Sequence, residues 1–313
     1  MTVLAGFDAG QTHTRCRISR WDADGWTTLG EGRGPGVSHL DAAAGEQHFV
    51  DALSMSAKDA GYQHGEGLLT AAVIGASGIE HGSPLERRAA GLVAQALNLP
   101  VTHVAATGDE RTALRGAFPN GAGIVLISGT GMICLGRNNS GVEHRCGGWG
   151  WRLDGAGAAF DLGHQGLQLT LQMADGRLPD HDLRRQLWTE LGCNTSADIK
   201  ALVVQPSFGP ANFAQLAPSV VAAADAGLSG AQAIVTRSAQ ALAASVTTVS
   251  RTLQLTEPAV VGLGGALTHL PSFQNAVANA LGFSVPGAQW ESPAGDACSG
   301  ALTMAQELSL KRH

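Results

Sequence analysis

Val3-Leu-Ala-Gly-Phe-Asp8-Ala-Gly10-Gln-Thr12-His-Thr14-Arg-Cys-Arg-Ile18 begins as an apolar run, turns at Gly10 and leaves through side chains that alternate polar and apolar. The pattern returns at Ile124-Val-Leu-Ile-Ser128-Gly129-Thr130-Gly131-Met-Ile-Cys-Leu-Gly136. An apolar run, a glycine turn carrying a threonine and an alternating second run predict a β-hairpin, here used twice. Glycine lets the backbone approach a ligand closely, and turn N–H groups and a threonine hydroxyl can donate to phosphate oxygens. Two such hairpins predict a nucleotide cleft between two halves of the chain.

Outward from the first hairpin, Gly25–Gly32 reads as a third strand, followed by the polar turn Gly34-Pro-Gly-Val-Ser-His39. Residues 41–61 carry Ala44, Phe49, Ala52, Leu53, Ala57 and Ala60 at helical spacing. Leu69–Gly75 is a short buried strand ending in Ala76-Ser77-Gly78, and Pro84–Leu97 a helix with proline in its first turn and Asn98 at its end. Val101–Ala106 reads as a strand that delivers Thr107-Gly108-Asp109. The second hairpin starts a comparable unit: residues 141–146, the loop Gly147-Gly148-Trp149-Gly150-Trp151, a mainly helical stretch over 157–260 and a strand at 259–263 that runs into Gly264-Gly265-Ala266. An apolar helix from about Ser299 to Leu310 ends the chain. Strand-like runs alternating with helical ones predict mixed α/β layers. The divisions read as 1–118, completed by a C-terminal helix at 299–313, and 119–298 with a helical insertion. No Pro/Ser-rich linker separates them, so a hinge of packed elements that closes a cleft is expected.

The 313 residues are enough for two buried cores. Hydrophobic residues at 44%, charged residues at 15% and a mean hydropathy of +0.05 describe a globular interior under a lightly charged surface. A net charge of −6 and the lack of a basic stripe argue against nucleic acid as a partner, so a bound polyanion must be held by local donors or a metal ion. The 42 glycines have no short period and read as turns. The start lacks the basic residues and longer apolar core of a signal peptide, and no apolar run reaches the roughly 18–20 residues of a membrane span, so a cytoplasmic location is expected. Cys16, Cys134, Cys146, Cys193 and Cys298 contain no C-x-x-C pair and read as reduced thiols. His13, His39, His64 and His81 sit in dissimilar loops without metal-binding spacing; His39 and His144 read as substrate neighbours or as plain exposed loop residues.

Five motifs stand in order: Asp8-x-Gly10-x-Thr12-x-Thr14, Gly108-Asp109-x-x-x-Ala113-Leu114, Ile127-Ser128-Gly129-Thr130-Gly131, Gly147-Gly148-Trp149-Gly150 and Val261-Gly262-Leu263-Gly264-Gly265-Ala266. With them the chain resembles the BadF/BadG/BcrA/BcrD ATPase family over nearly its full length, and within it the N-acetylglucosamine and glucosamine kinases of the actin/hexokinase/Hsp70 superfamily. The resemblance implies an α/β fold of two ribonuclease H-like domains flanking a nucleotide cleft, with ATP and Mg²⁺ as cofactors. It implies that Asp8 positions Mg²⁺, usually through water, which agrees with the preference of Mg²⁺ for carboxylate, phosphate and retained water. Gly10, Thr12 and Thr14 would hold the β- and γ-phosphates; Thr14 is otherwise a surface-strand residue. Asp109 matches the catalytic base, or caps the helix that follows, with Glu110 pointing away into solvent. Ser128, Gly129, Thr130 and Gly131 match the second phosphate loop, and Gly262, Gly264, Gly265 and Ala266 the adenosine motif. Sugar contacts are implied at Ser38, Ser77, Gly78, Gly147, Gly148, Trp149 and Asp154. A small-molecule sugar is the expected partner, without nucleic acid or membrane, and relatives often pair as homodimers.

The chain also departs from that pattern. The kinases follow Gly-Gly-Trp-Gly with Gly-Asp-Glu-Gly-Ser, whereas here Arg152-Leu153-Asp154-Gly155-Ala156-Gly157-Ala158 follows, with Asp154 one place early and the Glu absent. Ser38 stands where the kinases carry a sugar-contacting Asn, and Met132 replaces a common serine. The leading reading is an ATP-dependent kinase acting on a hydroxyl, the 6-hydroxyl, of N-acetylglucosamine or glucosamine. The alternatives are a non-catalytic sugar or nucleotide sensor of the same fold, and an ATPase that activates a radical dehydratase. The last needs cysteine ligands in contexts that neither Cys134 nor Cys146 occupies.

Overall fold

The first hairpin pairs β1 (Thr2–Ala9) with β2 (His13–Asp22), Asp8 standing opposite Arg15. This is a computed structural model; it describes residues 2–62 and 69–311, so His64 lies outside the described residues. β3 (Gly25–Pro35) pairs antiparallel with β2 and continues past the predicted end at Gly32. The extension carries Gly34, the last of a glycine stripe. A Cβ on Gly30, Gly32 or Gly34 would collide with the carbonyl oxygen of Ala60, Ser56 or Ala52 respectively. Alternate strand positions thus meet every fourth residue of α1 (Gly45–Asp59) and its C-cap Ala60, and helix backbone lies directly on strand backbone. These glycines are packing sites inside a strand, not turns. α1 starts later than the helical spacing from residue 41 predicts, because Ala42 N–H donates to His39 and Gly45 N–H to Ala42 in successive turns, with Ala44 in the left-handed region.

β4 (Leu69–Ala76), α2 (Pro84–Leu97) and β5 (Val104–Thr107) follow. The predicted strand at 101–106 is shortened by a single 3-10 turn over Val101–His103, closed by His103 N–H on the Pro100 carbonyl at 2.7 Å. β1, β4 and β5 are parallel, and the sheet order is β3-β2-β1-β4-β5. Asp8, Gly75 and Thr107 fall in one row across the three parallel strands. Behind the sheet, α3 (Asp109–Ala117) comes so close that a Cβ on Gly75 would overlap the Thr112 side chain. Phe7, Phe49, Leu53, Ile74 and Leu97 are fully buried in this unit, each removing apolar surface worth roughly 1.5–3 kcal/mol.

A second unit, Ala122–Ser292, opens with β6 (Gly123–Ser128), β7 (Met132–Arg137) and β8 (Glu143–Gly147). Six helices come next: α4 (Ala159–Ala174), α5 (Asp182–Glu190), α6 (Ser196–Val203), α7 (Pro210–Ala214), α8 (Ala217–Asp225) and α9 (Ser229–Leu253). β9 (Ala259–Leu263), α10 (Gly265–His269), α11 (Pro271–Ser284) and the three-residue β10 (Gln289–Glu291) complete it, in sheet order β10-β9-β6-β7-β8. β6 pairs antiparallel with β7 and parallel with β9, as β1 does with β2 and β4. Among the described residues, no single helix is long and apolar enough to cross a membrane. Cys134 and Cys146 face each other across β7 and β8, and all five cysteines are free thiols.

From Pro293 the chain rejoins the first unit, Met1–Gly121, through α12 (Ala297–Leu310). The helix begins two residues before Ser299 because the Asp296 carboxylate accepts the Ser299 N–H at 3.0 Å and caps it. Gly116 of α3 and Gly300 of α12 allow the close approach of the two helices, since a Cβ on Gly300 would strike the α3 backbone at Thr112 and Gly116 and one on Gly116 the backbone at Gly295 and Asp296 that leads into α12.

Close approach at Gly75 is testable. Gly75→Ala should lower the melting temperature, with overpacking costing about 1–3 kcal/mol. Thr112→Ala in the same chain should recover part of the loss, because it removes the atoms that the new methyl meets. Thermal denaturation of the two single variants and the double variant checks this; additive losses would show that the two positions do not meet.

Candidate functional site

In the first unit, the turn after β1 is held by backbone alone. Gly10 N–H donates to His13 at 3.0 Å, the Gly10 carbonyl accepts from Val37 at 3.0 Å, and Ser77 N–H donates to Ala9 at 2.9 Å. The predicted phosphate turn Gly10–Thr12 is thereby gathered with Ser38 and Ser77 at the carboxyl ends of the parallel strands, the usual ligand edge of such a sheet. Thr12 is exposed. Ser38 Oγ lies 3.2 Å from His48 Nδ1, and Gly78 faces the His39 ring. Thr14 is fully buried with Cys16 and Ile18, so it is not a surface-strand residue, and its hydroxyl has no hydrogen-bond partner among the described residues.

Asp8 ends β1 with its carboxylate partly exposed. Arg15 Nη2 and Nε donate to Oδ2 at 2.7 and 3.2 Å, while Oδ1 accepts no hydrogen bond among the described residues. Arg15 escaped the sequence reading, although the hairpin alternation that puts it opposite Asp8 was legible.

Asp109 occupies the first turn of α3, where Gly108 is the cap, so the capping alternative does not hold. Its carboxyl is pushed up to about 7, chiefly by burial and then by the negative charges of Glu110 and Asp8. Glu110 is not solvated as expected. It is buried, at 8% exposure, and its carboxylate curls back over Gly108. Two carboxyls that share a hydrogen bond cannot both ionise cheaply, which supports the upward shift. The Thr107 hydroxyl in the preceding strand is buried and has no hydrogen-bond partner among the described residues.

In the second unit, the loop after β6 closes on itself through Gly129 N–H to Gly131 at 2.9 Å. The first N–H groups of α4 are spent on it: Ala159 donates to Gly129 at 2.8 Å and Phe160 to Thr130 at 3.4 Å. Thr130 and Gly131 are exposed. Ser128 is fully buried and donates to the Gly157 carbonyl at 2.8 Å, so its hydroxyl fastens the 155–158 turn. Gly264, at φ 85°, lies against this loop, where a Cβ would sit 2.5 Å from the Ser128 carbonyl oxygen, and Gly265 is exposed beside it. The other two residues of the adenosine motif serve packing: the missing side chain of Gly262 makes room for the Trp290 ring, and Ala266 is buried in the core.

Gly147 and Gly148 both have φ of 78°, and Met132 and Ile133 fill the space below them. Arg145 donates to the Gly147 carbonyl at 3.1 Å and the Gly148 carbonyl at 2.8 Å, and its guanidinium lies 4.8 Å from the Trp149 ring centroid. Trp149 and Trp151 are both exposed, on the bend and turn that follow Gly148. Asp154 Oδ1 accepts the Gly155 N–H at 2.8 Å.

Two sheets of matching topology, each ending in a glycine turn with exposed donors, define an ATPase of the actin/hexokinase fold. Residues 5–305 match the BadF/BadG/BcrA/BcrD ATPase family, and the chain belongs to it. It is 27% identical over 200 residues to the N-acetylmuramic acid/N-acetylglucosamine kinase of Clostridium acetobutylicum, covering 63% of this chain and 65% of that one. It is 32% identical over 134 residues to the N-acetyl-D-glucosamine kinase of Dictyostelium discoideum, covering 42% of each. These alignments thus span less than two thirds of either relative. A solved structure of a candidate N-acetylglucosamine kinase from Chromobacterium violaceum superposes with a TM-score of 0.75 at 27% identity, covering 98% of this chain and 99% of that one.

Because the folded state holds a proton on the Asp109 pair that the unfolded chain would release, ionising the pair costs stability above about pH 7, and that cost vanishes toward pH 4. Asp109→Asn should therefore raise the melting temperature at pH 8 more than at pH 5; equal shifts at both would contradict it. Gly264→Ala should weaken ADP binding at least tenfold by calorimetry, since a Cβ at φ 85° must displace the Ser128–Gly129 backbone.

Proposed function

We propose that this chain is an ATP-dependent kinase that transfers the γ-phosphate to a hydroxyl, the 6-hydroxyl, of an amino sugar, most simply N-acetylglucosamine or glucosamine. The observation that carries the reading is Asp109, a half-buried carboxyl whose pKa is raised to about 7, two strands from Asp8 at the ligand edge of a parallel sheet. A base with pKa near the working pH accepts a hydroxyl proton most effectively, so Asp109 takes the proton as the sugar oxygen attacks phosphorus. The names of the two kinase relatives support the substrate class.

Asp8 fits a magnesium ion: one carboxylate oxygen is engaged by Arg15 and the other is free, which suits a cation that keeps much of its water and takes its remaining ligands from phosphate. When bound, Mg²⁺ would neutralise charge on the phosphates. The turn at Gly10–Thr12 offers backbone N–H groups and the Thr12 hydroxyl to phosphate oxygens. In the second unit Thr130 and Gly131 offer equivalent donors, Gly264 and Gly265 present bare backbone to the nucleoside, and Gly147, Gly148, Trp149 and Asp154 receive the sugar. Thr14, Ser128, Gly262 and Ala266 support these groups from below.

A sensor without catalysis is the second reading, favoured by Gly155 standing where the kinases carry their sugar-binding acid. Coupled ADP release with Mg²⁺-ATP across N-acetylglucosamine, glucosamine, N-acetylmannosamine, N-acetylmuramic acid and glucose separates the two. Sugar-dependent turnover that falls roughly 10²–10⁴-fold in Asp109→Asn supports the kinase. The kcat/KM of the unaltered chain should rise with pH through an apparent pKa of about 7. Nucleotide binding without turnover on any sugar would favour the sensor.

A further inference from the structure

We propose that Arg15 is a positioning residue that fixes the Asp8 carboxylate for the metal–nucleotide complex, an inference that rests on the role given to Asp8 above. Two guanidinium nitrogens of Arg15 converge on the single oxygen Oδ2, at 2.7 and 3.2 Å, and none reaches Oδ1. The carboxylate is therefore pinned by one oxygen with the other left open. Arg15 is pinned in turn: Nη1 donates to Asp296 Oδ2 at 3.2 Å, and Asp296 is also held by Arg17 Nη1 at 2.8 Å and by the Ser299 N–H at 3.0 Å. Arg17 completes the chain by binding Glu31 on β3. The network runs from the metal-facing carboxylate across three strands to the cap of α12.

Its charges explain why an arginine can stand beside a cation site. Asp8, Asp296 and Glu31 carry three negative charges against the two positive charges of Arg15 and Arg17, so one negative charge remains, and the free oxygen is where a cation meets it. Arg15 sits between two carboxylates, so its charge is largely matched before a metal arrives. A planar fork suits this task better than a lysine, which is a point charge on a flexible stem. Without Arg15 the Asp8 side chain would be free to rotate, and each metal-binding event would have to order it.

The test uses the full chain and reads binding as well as turnover. Calorimetry gives the affinity for ADP at stepped Mg²⁺ concentrations and without Mg²⁺, for the unaltered chain and for Arg15→Gln, Arg15→Lys and Asp296→Asn. Arg15→Gln should raise the Mg²⁺ concentration needed for half-maximal ADP binding about tenfold, with metal-free ADP affinity changed less than twofold. Arg15→Lys should recover part of that loss. Asp296→Asn, which removes one anchor but can still cap α12, should lower the melting temperature while shifting the Mg²⁺ requirement less than Arg15→Gln does. A Mg²⁺ requirement that is unchanged or lower in Arg15→Gln, or an equal weakening with and without Mg²⁺, would overturn the proposal. If the unaltered chain binds Mg²⁺-ADP but turns over no sugar, the kinase reading fails while this comparison can still be made.

Discussion

Parallel pairing of β1, β4 and β5 is the constraint on which the first unit's chemistry depends. It puts Asp8, Gly75 and Thr107 in one row, so the carboxylate at the end of one strand and the residues that lead into α3 at the end of another face the same edge. The middle position of that row has no side chain. With a Cβ at Gly75, Thr112 could not sit where it does, and the first turn of α3, which carries Asp109, would move outward with it. The shift of Asp109 to about 7 needs that closeness, since it comes from burial, from Glu110 and from Asp8 together.

The second unit repeats the principle with different means. Its glycine loop is stiffened by backbone: α4 gives its first two donors to the loop carbonyls, and Ser128 ties the loop's start to the Gly157 turn. Helix N-terminal donors often bind anions directly. Here they are consumed in shaping the loop, which leaves Thr130 and Gly131 as its exposed donors. The first unit rests on side-chain charge at Asp8, Arg15 and Asp296, and the second on backbone geometry. Electrostatic screening should therefore affect the first more than the second.

Both hairpins, the chain order of the first unit's strands and helices and the order of the five motifs could be read from the sequence because period-two alternation and glycine turns are local signals. Three kinds of feature could not. The stripe of Gly30, Gly32 and Gly34 looked like turn material, since a glycine that admits a helix and one that permits a turn are the same letter. β10 is three residues long, too short to show a period, yet it supplies the Trp290 that fills the space at Gly262. Burial of a motif residue is decided by partners distant in sequence. Ser128, Thr14 and Ala266 were assigned to the ligand by motif position alone, and their burial is set by packing that motif position does not show. Arg15 was legible in principle, because the same alternation that defines the hairpin puts it across from Asp8.

At Asp154, a shift of one residue in sequence need not remove the role proposed for it. Neighbouring Cα atoms are about 3.8 Å apart, a distance that a change of backbone direction can offset. The chain between Gly147 and Gly157 is rich in such changes, with positive φ at Gly147, Gly148, Gly150, Gly155 and Gly157. Asp154 uses Oδ1 to accept the Gly155 N–H and holds Oδ2 3.3 Å from the point where a Cβ on Gly147 would stand, against the turn that the sugar reading assigns to the acceptor. The side chain that stands one place early is thus folded back toward the Gly147 turn. What is lost outright is the neighbouring glutamate, replaced by the methyl of Ala156. On these grounds a change in how tightly one acceptor is preferred over its analogues follows more naturally than loss of the acceptor site, because the turn, its backbone donors and one carboxylate oxygen are all still in place.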